Sequence, residues 1–139
     1  PPIQTDLLLA AETGTLGLCL IHHRTGACNG TKIALWAFLQ TEVSTKALPE
    51  GLFEVAHNGY RHLWKGRDFN RASTSEYQTR LLLNNYVMQL SEQIAKLADN
   101  CIRTWFFVQN IDVNYAGMVK ARNEVFLTQD LTEKTHYIA

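Results

Sequence analysis

The sequence has little charge and no excess of either sign. Its 139 residues include 13 basic and 13 acidic side chains, and charged residues make up 19%, below the usual roughly 25%. A nucleic-acid-binding protein normally shows a basic excess, so this balance argues against that class. No apolar run reaches the roughly 18 residues of a membrane span, and 46% hydrophobic residues are too many for a disordered tail. We therefore expect a folded domain with neither a nucleic acid nor a membrane as partner.

Cysteine is also scarce. Cys19, Cys28 and Cys101 form no C-x-x-C pair, and their odd number argues against a disulfide framework or a structural zinc site. The adjacent His22 and His23 would point to opposite faces of a strand, which disfavours a shared metal ion. We therefore expect no metal, no cofactor and a reducing, cytoplasmic location, since no signal peptide is visible.

A β-hairpin is the clearest local signal. Asn58-Gly59 separates residues 52–57 from residues 60–65, and this dipeptide tolerates the positive φ angles of a type I′ turn. Short apolar runs bounded by glycine predict further strands within residues 1–50. Residues 135–139 predict the beginning of another strand.

Two amphipathic helices follow the hairpin. The first is expected over about 76–98, with Ser75 and Gln78 as a capping box. The second is expected over about 115–128, capped by Asp112 or Asn114. The first helix carries its apolar stripe at a spacing of three to four residues, namely Leu82, Leu83, Tyr86, Leu90, Ile94 and Leu97.

Residues 101–109 have large apolar groups at both alternate sets of positions, with Arg103, Trp105 and Phe107 on one side and Phe106 and Val108 on the other. This pattern predicts a central strand that is buried on both faces. The order of elements predicts an α+β two-layer sandwich, with a mixed sheet and two helices packed on one face. The other face then needs a second subunit or domain to cover it.

The stretch from Gln78 to Phe126 resembles the Rid family, also known as the YjgF or L-PSP endoribonuclease-like proteins. The family pattern is Q-T at the start of the first long helix, a strand of K-T-T-V-F-L type, then D-x-x-x-F/Y and a short helix ending in an aromatic residue. The residues at those places are Gln78-Thr79, Arg103-Thr104-Trp105-Phe106-Phe107-Val108, Asp112, Tyr115 and Phe126. Leu63-Trp64-Lys65-Gly66 is similar to the hairpin strand that ends in a family glycine. Cys101 to Trp105 is most similar to the larger chorismatase and pteridine-dependent-dioxygenase-like branch.

The resemblance implies a chorismate-mutase-like fold, usually assembled as a trimer with ligand clefts between subunits. In small members of the family, a cleft arginine holds the substrate carboxylate while water hydrolyses an enamine or imine. That arginine lies on a strand beyond the second helix and has no counterpart here. We therefore expect one Rid-like domain over 1–139 and expect it to be a segment of a longer protein. In it, residues 1–50 add N-terminal strands, and residues 51–139 form a core that lacks its closing strands.

The implied functions fall into two classes. One is an enamine/imine deaminase or a chorismatase-type hydrolase, which acts on a small carboxylate-bearing metabolite and is completed by further sequence. The other is a non-catalytic assembly or binding module. A ribonuclease would need a basic groove, which the zero net charge does not supply. The expected partners are the carboxylate ligand and either further copies, as a trimer, or another segment of the same protein.

Four residues are candidates for contacting the ligand, and no catalytic residue stands out. Arg103 shares a strand face with aromatic residues, so it either binds a carboxylate or forms a salt bridge. Arg122, on the second helix, has the same two interpretations. Trp64 and Tyr137 either line an interface cleft or pack in a core or interface.

Overall fold

The computed structural model describes residues 40–66 and 68–134. The chain divides into two compact units, Pro1–Asp68 and Phe69–Ala139. The described part of the first unit contains an antiparallel sheet, and that of the second contains helices, so the chain is α+β as predicted. The strands predicted before residue 40 and at 135–139 lie outside the described residues. The assignment of the whole chain to one domain stays a prediction.

The Asn-Gly turn forms the predicted hairpin. Strand β2 (Leu52–His57) pairs antiparallel with strand β3 (Tyr60–Lys65) around Asn58 and Gly59, whose φ angles are 50° and 78°. Two successive positive φ angles are those of a type I′ turn, whose twist matches that of the paired strands. The bounds of both strands are those predicted, so the hairpin is confirmed.

A third strand, β1 (Ser44–Ala47), pairs antiparallel with β2, and the sheet order is β1-β2-β3. All four residues of β1 are exposed, so the strand lacks the alternation of apolar and polar residues that would have predicted it. A 3-10 turn, Pro49–Gly51, joins β1 to β2. Every strand pairing among the described residues is antiparallel, and the predicted mixed sheet stays a prediction.

Two long helices dominate the second unit. Helix α1 (Ser75–Glu92) is followed by the short helix α2 (Leu97–Asn100), and helix α3 (Ile111–Thr128) comes after a non-helical segment. The single helix predicted over 76–98 is therefore wrong near its C-terminal end, because α1 ends at Glu92 and residues 93–96 are not helical. The helix predicted over 115–128 begins four residues earlier than expected.

The helix caps differ from those predicted. Thr74, and not Ser75, caps α1, because its Oγ1 accepts a hydrogen bond of 3.2 Å from the Tyr77 backbone N–H. Helix α3 has Asn110 at its N-cap in the left-handed conformation, with no side-chain cap hydrogen bond. The predicted caps Asp112 and Asn114 lie inside the first turn of α3.

Both long helices end in the same hydrogen-bonded arrangement. After α1, the Ala95 N–H donates to the Leu90 carbonyl at 2.9 Å, and the Ile94 N–H donates to the Ser91 carbonyl at 3.0 Å. Ile94, the second residue after the end of α1, has a φ of 58°. These two bonds around a left-handed residue make a Schellman motif. The α3 end repeats it with Asp130, at φ 59°, in the left-handed position.

The core of the second unit lies between α1 and α3 and includes the residues that follow each helix. It also buries Leu97 of α2, which is 1% exposed. The Ile94 predicted for the apolar stripe is 97% exposed instead, because the helix has ended before it. The buried cluster consists of Leu83, Leu90, Leu97, Val125, Phe126 and Leu131.

A network of four charged side chains ties α1 to α3 at the protein surface. Arg80 of α1 pairs with Glu76 one turn earlier at 2.9 Å and with Glu124 of α3 at 2.5 Å. Lys120 of α3 also pairs with Glu76, with 3.1 Å between the Lys120 Nζ and the Glu76 Oε1. The charges alternate in sign through the network, so each contact is attractive. Ion pairs therefore connect the two helices at this surface.

Candidate functional site

Residues 101–109 connect α2 to α3 and form neither helix nor strand. Their exposure nevertheless alternates from residue 103 onward with a period of two, as along a strand. Arg103, Trp105 and Phe107 are exposed, and we call these three side chains the aromatic ribbon. The predicted central strand is therefore wrong in two respects. The described residues supply no neighbouring strand to pair with it, and its outer face is open to solvent.

The inner face of the segment is held by the core of the second unit. Phe106 and Cys101 both pack against the buried cluster between α1 and α3. Burial raises the pKa of the Cys101 thiol, an effect only partly offset by the hydrogen bond that the thiol accepts from the Arg103 backbone N–H. A thiol with a raised pKa is a poor nucleophile at neutral pH. Cys101 therefore contributes to the packing of this core.

The outer face combines one positive charge with aromatic rings. The Arg103 guanidinium carbon lies 5.7 Å from the centre of the Trp105 ring, within the range of a cation–π interaction. Trp105 is 53% exposed and Phe107 is 66% exposed, so both rings keep much of their surface in water. Within the part of the chain that the structure describes, Arg103 forms no ion pair with a carboxylate.

Exposed apolar side chains continue from the aromatic ribbon into the first turns of α3. Six of the twelve exposed large apolar side chains of the described residues fall within residues 102–115. This stretch has only two charged residues, Arg103 and Asp112. Concentrated apolar exposure marks interaction surfaces in soluble proteins. The six residues are Ile102, Trp105, Phe107, Ile111, Val113 and Tyr115.

Sequence reasoning found the aromatic ribbon but predicted that its side chains are buried. It missed Ile111 and Val113 altogether, because they fall in a turn of helix that was predicted as a connection. The low charge of residues 102–115 was a usable signal for an apolar surface. It does not by itself distinguish a surface that is buried within the chain from one that remains open.

Two of the other three predicted ligand contacts lie among the described residues. Arg122 lies on α3, where its Nε and Nη2 donate to the Asn123 side-chain oxygen at 3.2 and 3.1 Å. Trp64 lies on β3 in the first unit, half-buried and opposite Phe53 in the register of the hairpin. Tyr137 lies outside the described residues. Of the two candidate arginines, Arg103 is exposed beside the Trp105 ring, whereas Arg122 donates to Asn123.

Residues 40–66 and 68–134 contain no group of three or more His, Cys, Asp or Glu side chains arranged to hold a metal ion. Over the same ranges, none of the helices combines the length and the hydropathy needed to cross a bilayer.

Comparison with protein-family models, with curated proteins and with solved structures found no match for this chain. The resemblance to the Rid family therefore rests on the motifs of the sequence alone.

Proposed function

We propose that the chain is a binding module that holds the carboxylate of a small metabolite at Arg103. The observation that carries this proposal is the setting of the Arg103 guanidinium. It is exposed, lies 5.7 Å from the centre of the Trp105 ring and forms no ion pair with a carboxylate of the described residues. A guanidinium offers a planar pair of N–H donors that matches a carboxylate, and the adjacent rings offer an apolar surface to the rest of the ligand.

Arg122 suits this role less well than Arg103. Two of its guanidinium nitrogens already donate to Asn123, so a ligand would have to compete for them. Trp64 and Tyr137 stay predicted contacts of the ligand. The binding surface proposed for the second unit is therefore centred on Arg103 and includes Trp105 and Phe107.

The Rid resemblance adds finer predictions. These are the chorismate-mutase-like fold, with two helices on one face of a mixed sheet, an oligomeric cleft and a cytoplasmic location. The resemblance also implies hydrolase or deaminase activity, but no catalytic residue can be named from the sequence or among the described residues. We therefore prefer the non-catalytic module. With an imino acid generated in situ, we expect little or no release of ammonia, and robust turnover would establish the enzyme instead.

Titration with benzoate tests the binding site, because benzoate combines a carboxylate with a ring that can pack on the aromatic ribbon. Arg103→Met, which removes the charge and keeps an apolar stem, should weaken benzoate binding by about tenfold or more. Arg122→Met is the matched control and should bind benzoate like the unaltered chain. Benzamide, which has the ring without the charge, should not distinguish Arg103→Met from the unaltered chain. Equal benzoate affinity in the Arg103→Met variant would refute the proposal.

A further inference from the structure

The backbone of residues 102–108 has an open edge within the described part of the chain. In an extended segment, residues of the same parity direct their N–H and C=O groups to the same edge. No backbone–backbone hydrogen bond between described residues involves Ile102, Thr104, Phe106 or Val108. These four residues would share one edge. Their side chains include those that the core of the second unit holds in place, such as Phe106.

We propose that two copies of the chain pair along this edge as antiparallel strands, with a two-fold axis that passes through Trp105. In that register, Thr104 lies opposite Phe106 of the second copy, and Ile102 lies opposite Val108 of the second copy. Each of these pairs exchanges two backbone hydrogen bonds, which is the pattern of hydrogen-bonded pairs in an antiparallel ladder. The Trp105 residues form the non-hydrogen-bonded pair at the centre, so the pairing does not depend on the Trp105 backbone.

Charge disfavours two alternative pairings. Arg103 is the only charged residue between 101 and 109. A parallel, in-register pairing would set the two Arg103 side chains beside each other, and an antiparallel pairing centred on Arg103 would do the same. Like charges directly opposite each other are destabilising. The register centred on Trp105 instead sets each Arg103 opposite the Phe107 ring of the second copy, where a cation–π contact is favourable.

The second copy also presents an apolar surface that matches the one it would cover, because both copies carry the aromatic ribbon. Pairing places the aromatic ribbons of the two copies side by side, with the Trp105 rings at the centre and an Arg103 at either end. Aromatic side chains directly opposite each other stabilise an antiparallel pair. The chain has no net charge, so two copies approach without long-range repulsion. The contact is isologous and closes at two subunits, in contrast to the trimer implied by the family resemblance.

This inference goes beyond the proposed carboxylate binding and does not require it. Arg103→Met should remove carboxylate binding and leave a dimer that is weakened but detectable. An unaltered chain that binds benzoate but stays monomeric would refute self-pairing alone. An unaltered chain that dimerises but does not bind benzoate would refute the carboxylate site alone.

Position-specific disulfide formation tests the register. In a chain with serine at Cys19, Cys28 and Cys101, Trp105→Cys should form a covalent dimer on mild oxidation, because non-hydrogen-bonded antiparallel pairs have Cα atoms about 4.5 Å apart. Arg103→Cys alone should not form one, whereas a mixture of Arg103→Cys and Phe107→Cys should form the mixed dimer. Light scattering of the unaltered chain should approach twice its mass of 15.8 kDa as concentration rises. A monomer at all concentrations, or preferential self-linking of Arg103→Cys, would overturn the proposal.

Discussion

Gly117 of α3 lies so close to Ser75 at the start of α1 that a β-carbon on Gly117 would come within 2.6 Å of the Ser75 Oγ. The Glu76 backbone nitrogen would be 3.1 Å from the same carbon. The absence of a side chain at Gly117 therefore sets how closely the two helices approach. This is a role in packing, because Gly117 lies within a helix and its backbone has no positive φ.

We predict that Gly117→Ala lowers the free energy of unfolding. Alanine gains about 1 kcal/mol in helix propensity over glycine, but overpacking against α1 costs about 1–3 kcal/mol, and the backbone nitrogen of Glu76 cannot move aside cheaply. Denaturant unfolding of the variant measures the difference. Ala116→Gly, at an exposed neighbouring position, should lose only the propensity difference. Adding Ser75→Ala to Gly117→Ala should recover part of the loss, and a Gly117→Ala chain as stable as the unaltered one would contradict this account.

We predict that Ile94→Gly stabilises the chain, although it removes a large apolar side chain. Ile94 is 97% exposed and has a φ of 58°, a conformation that is costly for a β-branched residue and free of strain for glycine. The expected gain is about 1 kcal/mol, after allowance for the greater freedom of glycine in the unfolded chain. Thermal unfolding should show a raised Tm.

Asp130→Gly provides the matched comparison at the end of α3. Asp130 occupies the equivalent position with a φ of 59°, but aspartate tolerates the left-handed conformation better than isoleucine does. Asp130→Gly should therefore raise the free energy of unfolding by less than Ile94→Gly does. A lower Tm in Ile94→Gly would show that the isoleucine side chain contributes a contact that its exposure does not indicate.

The ion network between the helices should make stability depend on pH in the acidic range. Hydrogen bonds from Arg80 and then from Lys120 lower the pKa of Glu76 below its ordinary value of 4.5. The Glu76 carboxylate therefore binds a proton less tightly in the folded chain than in the unfolded chain. The resulting stabilisation is present above pH 4.5 and is lost as the pH falls through the lowered pKa.

Thermal unfolding of Glu76→Gln at several pH values measures this contribution. The Tm difference between the unaltered chain and Glu76→Gln should be largest at neutral pH and low salt, and it should vanish in acid. Added salt should reduce the difference, because the four side chains are partly exposed. Glu133→Gln is the control, since Glu133 is exposed and forms no ion pair with a described residue. A Glu76→Gln difference that does not change with pH would contradict the role of the network.

The sequence predicts well those features that local chemistry determines. The Asn58-Gly59 turn requires positive φ angles that few other dipeptides accept, so the hairpin and its bounds follow from two residues. The spacing of Leu83 and Leu90 likewise identifies the buried side of α1, because residues seven apart lie on the same side of a helix. The interruption after Glu92 was not predictable in this way, because Ile94 is an unfavourable residue for a left-handed position and gives no glycine signal.

The candidate site was predicted less well, because the sequence does not show which part of the protein covers an apolar segment. The apolar content of residues 101–109 indicates that they need cover, but composition does not say what provides it. An extended segment with aromatic groups outward has the same pattern whether it pairs within its own chain or with another. The exposure of Trp105 and the setting of Arg103 depend on tertiary structure, which sequence periodicity does not describe.

Amide hydrogen exchange at Thr104 and Phe106 tests most directly the claim that a second copy pairs with the backbone of residues 102–108. At low concentration both amides should exchange rapidly, and at concentrations where the chain dimerises they should become protected. The amide of Val125, inside α3, should be protected at both concentrations. Protection of Thr104 and Phe106 at every concentration would mean that the segment is already paired within the chain. Rapid exchange at every concentration would mean that no second copy pairs with it, and either result would contradict the account.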